Sequence, residues 1–220
     1  SPDVPFDQSI NPYRGCEHGC VYCFARPTHA YLGLSPGLDF ETKILYKPDA
    51  ARLLERELRK PNYQCRTIVL GTNTDPYQPV EKTLRLTRGV LEVLSAFRHP
   101  VSIVTKSVLI QRDLDILKPM GEKGLVQVCL SITTLDHRLA NTLEPRASTP
   151  MKRLATIRTL TDAGIPCGVI AAPIIPGLND HELESIIAAG RDTGATLASY
   201  ILLRLPLQVS GLFKEWLETY

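Results

Sequence analysis

Charge of a single sign is missing from this 220-residue chain: 25 Lys plus Arg against 23 Asp plus Glu leave a net +2. No chain-wide field therefore points to a nucleic-acid partner, and only local patches remain open to that reading. Long apolar runs are missing too. The most apolar segment, "GVIAAPIIPGL" at 168–178, is interrupted by two prolines and is too short to cross a bilayer, and no signal peptide opens the chain. A cytoplasmic protein with no membrane partner is expected. Aromatic residues are few, 6% of the chain, and do not interleave with basic ones, so nothing marks a stacking platform for single strands. His18, His29, His99, His137 and His181 include no ligand pair at helical spacing, and surface or loop positions are expected for them. With no repeat and no low-complexity linker, one domain over 1–220 is expected.

A spread cysteine framework of the secreted kind is also absent. Cys65, Cys129 and Cys167 stand alone, whereas Cys16, Cys20 and Cys23 fall within eight residues of "NPYRGCEHGCVYCFARP". In a reducing compartment such a cluster reads as metal ligation or catalysis. The chain does not begin with Met and stops in "LFKEWLETY", an amphipathic helical pattern, so a fragment of a longer protein is expected.

What is present is an alternation of short apolar runs with helical patterns. Strands are expected at about 8–10, 66–71 ("RTIVLG"), 101–106 ("VSIVTK"), 126–132 ("VQVCLSI"), 167–174 ("CGVIAAPI") and 195–205 ("ATLASYILLRL"). After an insertion at about 24–47, a helix is expected with Ala50, Leu53, Leu54 and Leu58 on one face. A second runs over about 83–97 with a stripe of Leu84, Val90, Leu91, Leu94 and Phe97, and a short one lies near "RDLDILKPM". Thr149 followed by Pro150 starts a further helix that Gly164 closes, and Asn179 and Glu182 have the spacing of a capping box for the next. Strands alternating with helices require parallel pairing through right-handed crossovers, in an α/β barrel or a doubly wound sheet.

The CxxxCxxC spacing is unusual for zinc, which favours paired CxxC knuckles and four ligands, and His18 sits awkwardly close to its cysteine neighbours to serve as the fourth. A cubane iron-sulfur cluster normally takes four cysteines, so three leave one iron open to a small molecule. Gly15 and Gly19 suit a loop that wraps one body, since they accept positive φ.

With Tyr22 just before the last cysteine, the motif resembles the signature of the radical S-adenosylmethionine (SAM) superfamily. The resemblance implies an open, partial (β/α)6 TIM-type barrel of parallel strands, with the motif after the first strand. It also implies a 4Fe-4S cluster held by Cys16, Cys20 and Cys23. In α/β barrels the active site gathers at the C-terminal strand ends, and there the sequence places Thr72, Asn73, Thr74, Asp75, Lys106, Ser131 and Arg204. "GTNTDPYQPVE", "VTKSVLIQRDLDIL", "LSITTLD" and "LEPRASTPMKRL" further resemble the spore photoproduct lyase-like branch, also called DNA-repair photolyase-like. That likeness implies SAM contacts from Thr74, Asp75, Lys106 and Ser131, with Tyr22 offering its backbone to the adenine and "PIIPG" at 173–177 walling it.

Glu144, Arg146 and Arg153 either reach the rim or form a surface ion-pair cluster, the second at least as much expected as the first, and Arg204 is a candidate anion contact. Cys129 shares strand parity with Ser131, so both should face the barrel interior, Cys129 as an ordinary core thiol. Two departures stand out against spore photoproduct lyase, whose hydrogen-donating cysteine and cluster-flanking tyrosine are matched here by Thr72 and Phe24, both poor hydrogen-atom donors. Thymine-dimer repair by that route is therefore not expected. The implied activity is reductive cleavage of SAM to a 5′-deoxyadenosyl radical that abstracts hydrogen from a substrate, with flavodoxin or ferredoxin as electron donor. Nucleic acid, a peptide and a small molecule all remain open as that substrate. The alternative of a different class is a noncatalytic iron-sulfur or zinc-binding scaffold.

Overall fold

The computed structural model describes residues 6–220. Six parallel strands form one sheet in chain order: β1 (Gln8–Ile10), β2 (Ile68–Leu70), β3 (Val101–Thr105), β4 (Val126–Ser131), β5 (Cys167–Ile174) and β6 (Leu197–Leu202). Every strand lies beside its predecessor, so all connections cross the same face, as right-handed βαβ units demand. β1 and β6 remain edges, and the barrel is open as expected.

The connections carry α1 (Ala50–Leu58), α2 (Leu86–Ala96), α3 (Leu114–Gly121), α4 (His137–Leu143), α5 (Pro150–Asp162), α6 (Leu183–Asp192) and, after β6, α7 (Val209–Thr219). Alternate strand residues, among them Leu70, Ile103, Val128, Leu130 and Val169, meet Leu91, Leu94, Leu117, Ile157 and Ile186 from the helices in one buried core. Each such side chain contributes roughly 1.5–3 kcal/mol by leaving water. The intervening residues point the other way, to the barrel interior. Among them Cys129 packs against Gly168, where an added Cβ would lie 3.0 Å from its sulfur.

Strand limits are tighter than the apolar runs suggest, so Arg204 falls beyond β6 rather than within it, and Lys106 is the first residue after β3. The helix expected over 83–97 is broken. A turn at Glu81–Leu84 ends at Arg85, which has φ 52°, and α2 then begins. The cause is Glu81, whose buried carboxylate accepts Thr87 N (3.0 Å) and Arg88 N (3.3 Å) and so places an anion at the start of α2. Leu53 is exposed and outside the α1 stripe. The capping box also fails. Asn179 Oδ1 accepts from Ile175 N (2.6 Å) and its Nδ2 donates to Thr133 O (2.6 Å), so it ties the turn after β5 to the segment after β4. Glu182 instead accepts from Leu135 N and Thr134 Oγ1.

Residues of β6 are exposed along its length, including Leu197, Tyr200, Ile201 and Leu202. α7 does not cover them. Its Phe213 and Trp216 pack with Leu139, Leu143 and Ile175 beside Cys20 and Tyr22. No helix among the described residues is long and apolar enough to cross a membrane.

Candidate functional site

The cysteine loop leaves the C-terminal end of β1 through a two-residue antiparallel ribbon, Tyr13–Arg14 against Leu45–Tyr46. Gly15 (φ 84°) and Gly19 (φ 70°) take the positive φ expected of them. At Gly19 a Cβ would also collide with the Arg146 guanidinium and the Glu41 carboxylate. Arg26, buried at the far end of the loop, donates to Cys20 O (2.9 Å) and Gly19 O (3.1 Å) and pairs with Glu41 (2.5 Å). Arg146 also pairs with Glu41 and donates through Nε to Glu17 O. Val21 N reaches Leu143 O (3.0 Å), and Arg146 N reaches His18 O (3.2 Å). From the other side Gln78 donates to Gly15 O (3.1 Å) and accepts from Glu17 N (3.0 Å). The loop is thus gripped through its backbone, which leaves the three thiols free to ligate.

Cys16 and Cys20 are buried, Cys23 is half-buried, and all three are free thiols. Burial pushes the Cys16 and Cys23 thiols up in pKa and the Cys20 thiol to about 12, and charge on neighbouring thiolates adds to this for Cys16 and Cys20. A buried trio of this kind becomes thiolate only when a cationic body replaces its protons, and this is how ligands of a cluster behave. Among the described residues no group of three His, Cys, Asp or Glu side chains converges on a point fit for one metal ion.

The strand-end residues do gather. Asp75 accepts from Thr105 Oγ1 (2.7 Å), Lys106 N (2.7 Å) and Tyr77 N (2.8 Å), and lies 3.4 Å from His18 Nδ1. Thr74 Oγ1 donates to Tyr13 O (3.0 Å), joining the loop after β2 to the ribbon. Lys106 Nζ donates to Ser131 Oγ (2.5 Å), stands 3.5 Å from Glu144 Oε1 and lies 5.9 Å from the centre of the Tyr22 ring.

Glu144 corrects the expected surface cluster. It is 3% exposed and Arg153 1%, because the C-terminal end of α4 tucks the carboxylate under the strand ends. Its oxygens accept from Tyr22 OH, from Thr133 Oγ1 (2.5 Å) and from Arg153 Nη2, while Arg153 also donates to Ser131 O (2.8 Å). Burial alone would raise the Glu144 pKa, but Arg153, Lys106 and these hydrogen bonds bring it down to about 2. Arg146 alone of that trio is substantially exposed. The histidines depart from expectation as well: His18, His29 and His99 are buried, and burial holds the His18 imidazole below its ordinary pKa against the pull of Asp75. Arg204 is exposed beyond β6, and Thr72 bonds Asn11 (3.0 Å). Sequence reasoning missed Gln78 and Arg26 and left open whether Glu144 and Arg153 reach the rim or the surface. The charged residues of "LEPRASTPMKRL" were the available signal, but burial is a tertiary property.

An open parallel α/β barrel whose first strand delivers three ligand-ready thiols beside a lysine, a serine and a buried carboxylate is a cofactor-binding scaffold. Residues 10–189 match the profile of the Radical SAM superfamily, and the chain belongs to that superfamily. An uncharacterized Mycobacterium tuberculosis protein is 40% identical over 216 residues, 97% of this chain and 64% of the relative. One from Methanocaldococcus jannaschii is 31% identical over 209 residues, 95% of this chain and 74% of the relative. The chain thus spans just under two thirds of the mycobacterial protein. A spore photoproduct lyase variant with bound AdoMet and dinucleoside spore photoproduct shares the fold, with a TM-score of 0.68 at 20% identity, over 94% of this chain and 60% of the other.

Proposed function

We propose that this chain is the catalytic core of a radical SAM enzyme, with Cys16, Cys20 and Cys23 as ligands of a 4Fe-4S cluster and Tyr22, Thr74, Asp75, Lys106 and Ser131 as the SAM-binding set. Glu144 is the observation that carries this reading, since one buried carboxylate bonds Tyr22 inside the cysteine loop and stands 3.5 Å from Lys106 on the barrel rim. Bound together, cluster and SAM supply one-electron cleavage of the sulfonium and a 5′-deoxyadenosyl radical that abstracts hydrogen.

The protein's own part is to bind and to orient. Lys106 offers two further N–H donors beyond the one given to Ser131, a charge and geometry suited to the methionine carboxylate. Asp75 holds the Lys106 backbone, and Arg153 holds the carbonyl of Ser131, so both partners of that carboxylate are fixed before it arrives. Ser131 Oγ accepts from Lys106 and donates to Ala172 O (3.2 Å), which keeps one oxygen lone pair facing the same space. The walls formed by Tyr22, Ile175 and Phe213 exclude water from the loop. A one-electron donor such as flavodoxin or ferredoxin is required.

Anaerobic reconstitution followed by iron, sulfide and 5′-deoxyadenosine assays tests this. The expected result is iron and sulfide bound in a Cys16-, Cys20- and Cys23-dependent manner, with 5′-deoxyadenosine formed from SAM under reduction. Deuterium carried into that product from labelled candidates names the molecule attacked. Stoichiometric zinc without sulfide, or a loaded cluster that never cleaves SAM, would return the chain to the scaffold class.

A further inference from the structure

The insertion at 24–47 holds the cysteine loop through Arg26 and Glu41, and it also walls a cleft. The cavity is about 400 Å³, large enough for a small organic ligand and well beyond a bare inorganic anion. Arg14, Thr28, Tyr31, Lys47, Asn73 and Thr74 line it, drawn from four separate stretches of chain, and no carboxylate does. The register of the ribbon places both cations together. Arg14 pairs with Leu45, and Lys47 follows two residues on, so Arg14 and Lys47 share a face. Neither has an ion-pair partner among the described residues, whereas Arg26, Arg112, Arg146 and Arg153 are all paired. In a chain with a net charge of +2 this is a local concentration of uncompensated positive charge. Tyr31 stands at the same cleft with 82% of its surface exposed, an aromatic face with nothing stacked on it. Thr74 connects the cleft to the rim: its neighbour Asp75 holds Lys106.

We propose that this cleft binds a phosphate-bearing nucleotide unit, free or within a single strand, with Arg14 and Lys47 on the phosphates and Tyr31 stacked on the base. Two cations on one face beside an exposed aromatic ring is the combination by which proteins hold single nucleotides of a strand. Asn73, exposed between them, supplies amide donor and acceptor for the sugar or base edge. The proposal rests on the radical SAM reading only for its meaning as a substrate site, because the binding itself needs no turnover.

The experiment is fluorescence anisotropy of the anaerobically reconstituted protein with labelled single-stranded oligo(dT) and oligo(rU), across a salt series, with 5′-AMP, inorganic phosphate and SAM as competitors. Binding is expected to weaken with salt, and the Arg14→Ala, Lys47→Ala double variant should lower the log–log slope by about 1.4, twice the single-strand increment. Tyr31→Ala should cost roughly 5-fold or more in affinity, and Tyr31→Phe should retain it. Displacement by 5′-AMP at concentrations where inorganic phosphate fails assigns the cleft to a free nucleotide, and resistance to both assigns it to a strand. Equal competition by inorganic phosphate and 5′-AMP removes the nucleotide. An unchanged slope in the folded double variant overturns the proposal. So does displacement of the oligonucleotide by SAM with loss of SAM binding in that variant, since the cleft would then be the SAM site. Failure of the radical reading shows instead as missing 5′-deoxyadenosine, which this assay does not use.

Discussion

Two buried charge networks in this molecule use the same chemistry to different ends. The first lies where the loop after β2 and α2 meet the turn leading into α3. Asp113 accepts from Arg88 (2.9 Å), Arg112 (2.9 Å) and Tyr77 OH (3.1 Å), and Glu81 accepts from Arg112 (2.8 Å), Tyr13 OH and the first amides of α2. Both carboxylates are fully buried and surrounded by donors. The second lies at the barrel rim around Glu144. Its carboxylate is equally buried, but it stabilises a lysine that keeps donors to spare and has 14% of its side chain exposed. A saturated network holds elements together, whereas one whose lysine keeps unspent donors can take a ligand.

The largest expected effect separates them by stability. Asp113→Ala removes the acceptor shared by Arg88, Arg112 and the buried Tyr77 hydroxyl, leaves Arg88 on Asp115 and Arg112 on Glu81, and should cost about 2–3 kcal/mol in urea unfolding. SAM binding by the folded fraction should be unchanged. Loss of SAM affinity in that fraction would break the distinction.

Next comes acid. The Glu144 pKa is about 2 when folded, below its value of 4.5 when unfolded, so its stabilisation is complete above the unfolded value and fades as pH falls toward 2. Wild-type urea midpoints should therefore drop more steeply between about pH 4.5 and 2 than those of Glu144→Gln, which carries no such proton linkage. Parallel curves would show that the Glu144 network contributes nothing through charge.

The smallest effect on stability should accompany a large effect on ligand. Lys106→Met keeps the apolar stem and leaves Glu144 compensated by Arg153, so it should shift unfolding by less than Asp113→Ala does, about 1 kcal/mol. SAM affinity, followed by equilibrium dialysis, should fall about 10- to 100-fold, the size of one or two hydrogen bonds to a charged group. A variant that unfolds while still binding SAM would place Lys106 in the structural class.

Much of the fold was legible because apolar strand runs are local signals: Gln8–Ile10 and Cys167–Ile174 match their expected limits. The broken helix at Arg85 was not legible, since it is imposed by Glu81 reaching partners at Tyr13 and Arg112, far along the chain. In the site, the cysteines could be named from their spacing and its resemblance to the superfamily signature, and Asp75, Lys106 and Ser131 as polar residues at strand ends, which converge in any α/β barrel; their roles toward SAM are implied by the resemblance alone. For Glu144 and Arg153 the rim and the surface could not be told apart, for nothing local distinguishes a buried charged pair from an exposed one. The cleft of Arg14, Tyr31 and Lys47 was hidden for a related reason. Its basic and aromatic residues interleave in space across the ribbon and not along the sequence.

Position 19 works as a calliper on the whole assembly. With φ at 70° and the ends of an arginine and a glutamate closing over its α-carbon, it takes a side chain only with backbone strain and displacement of that ion pair. One atom records whether the two halves of the site still touch.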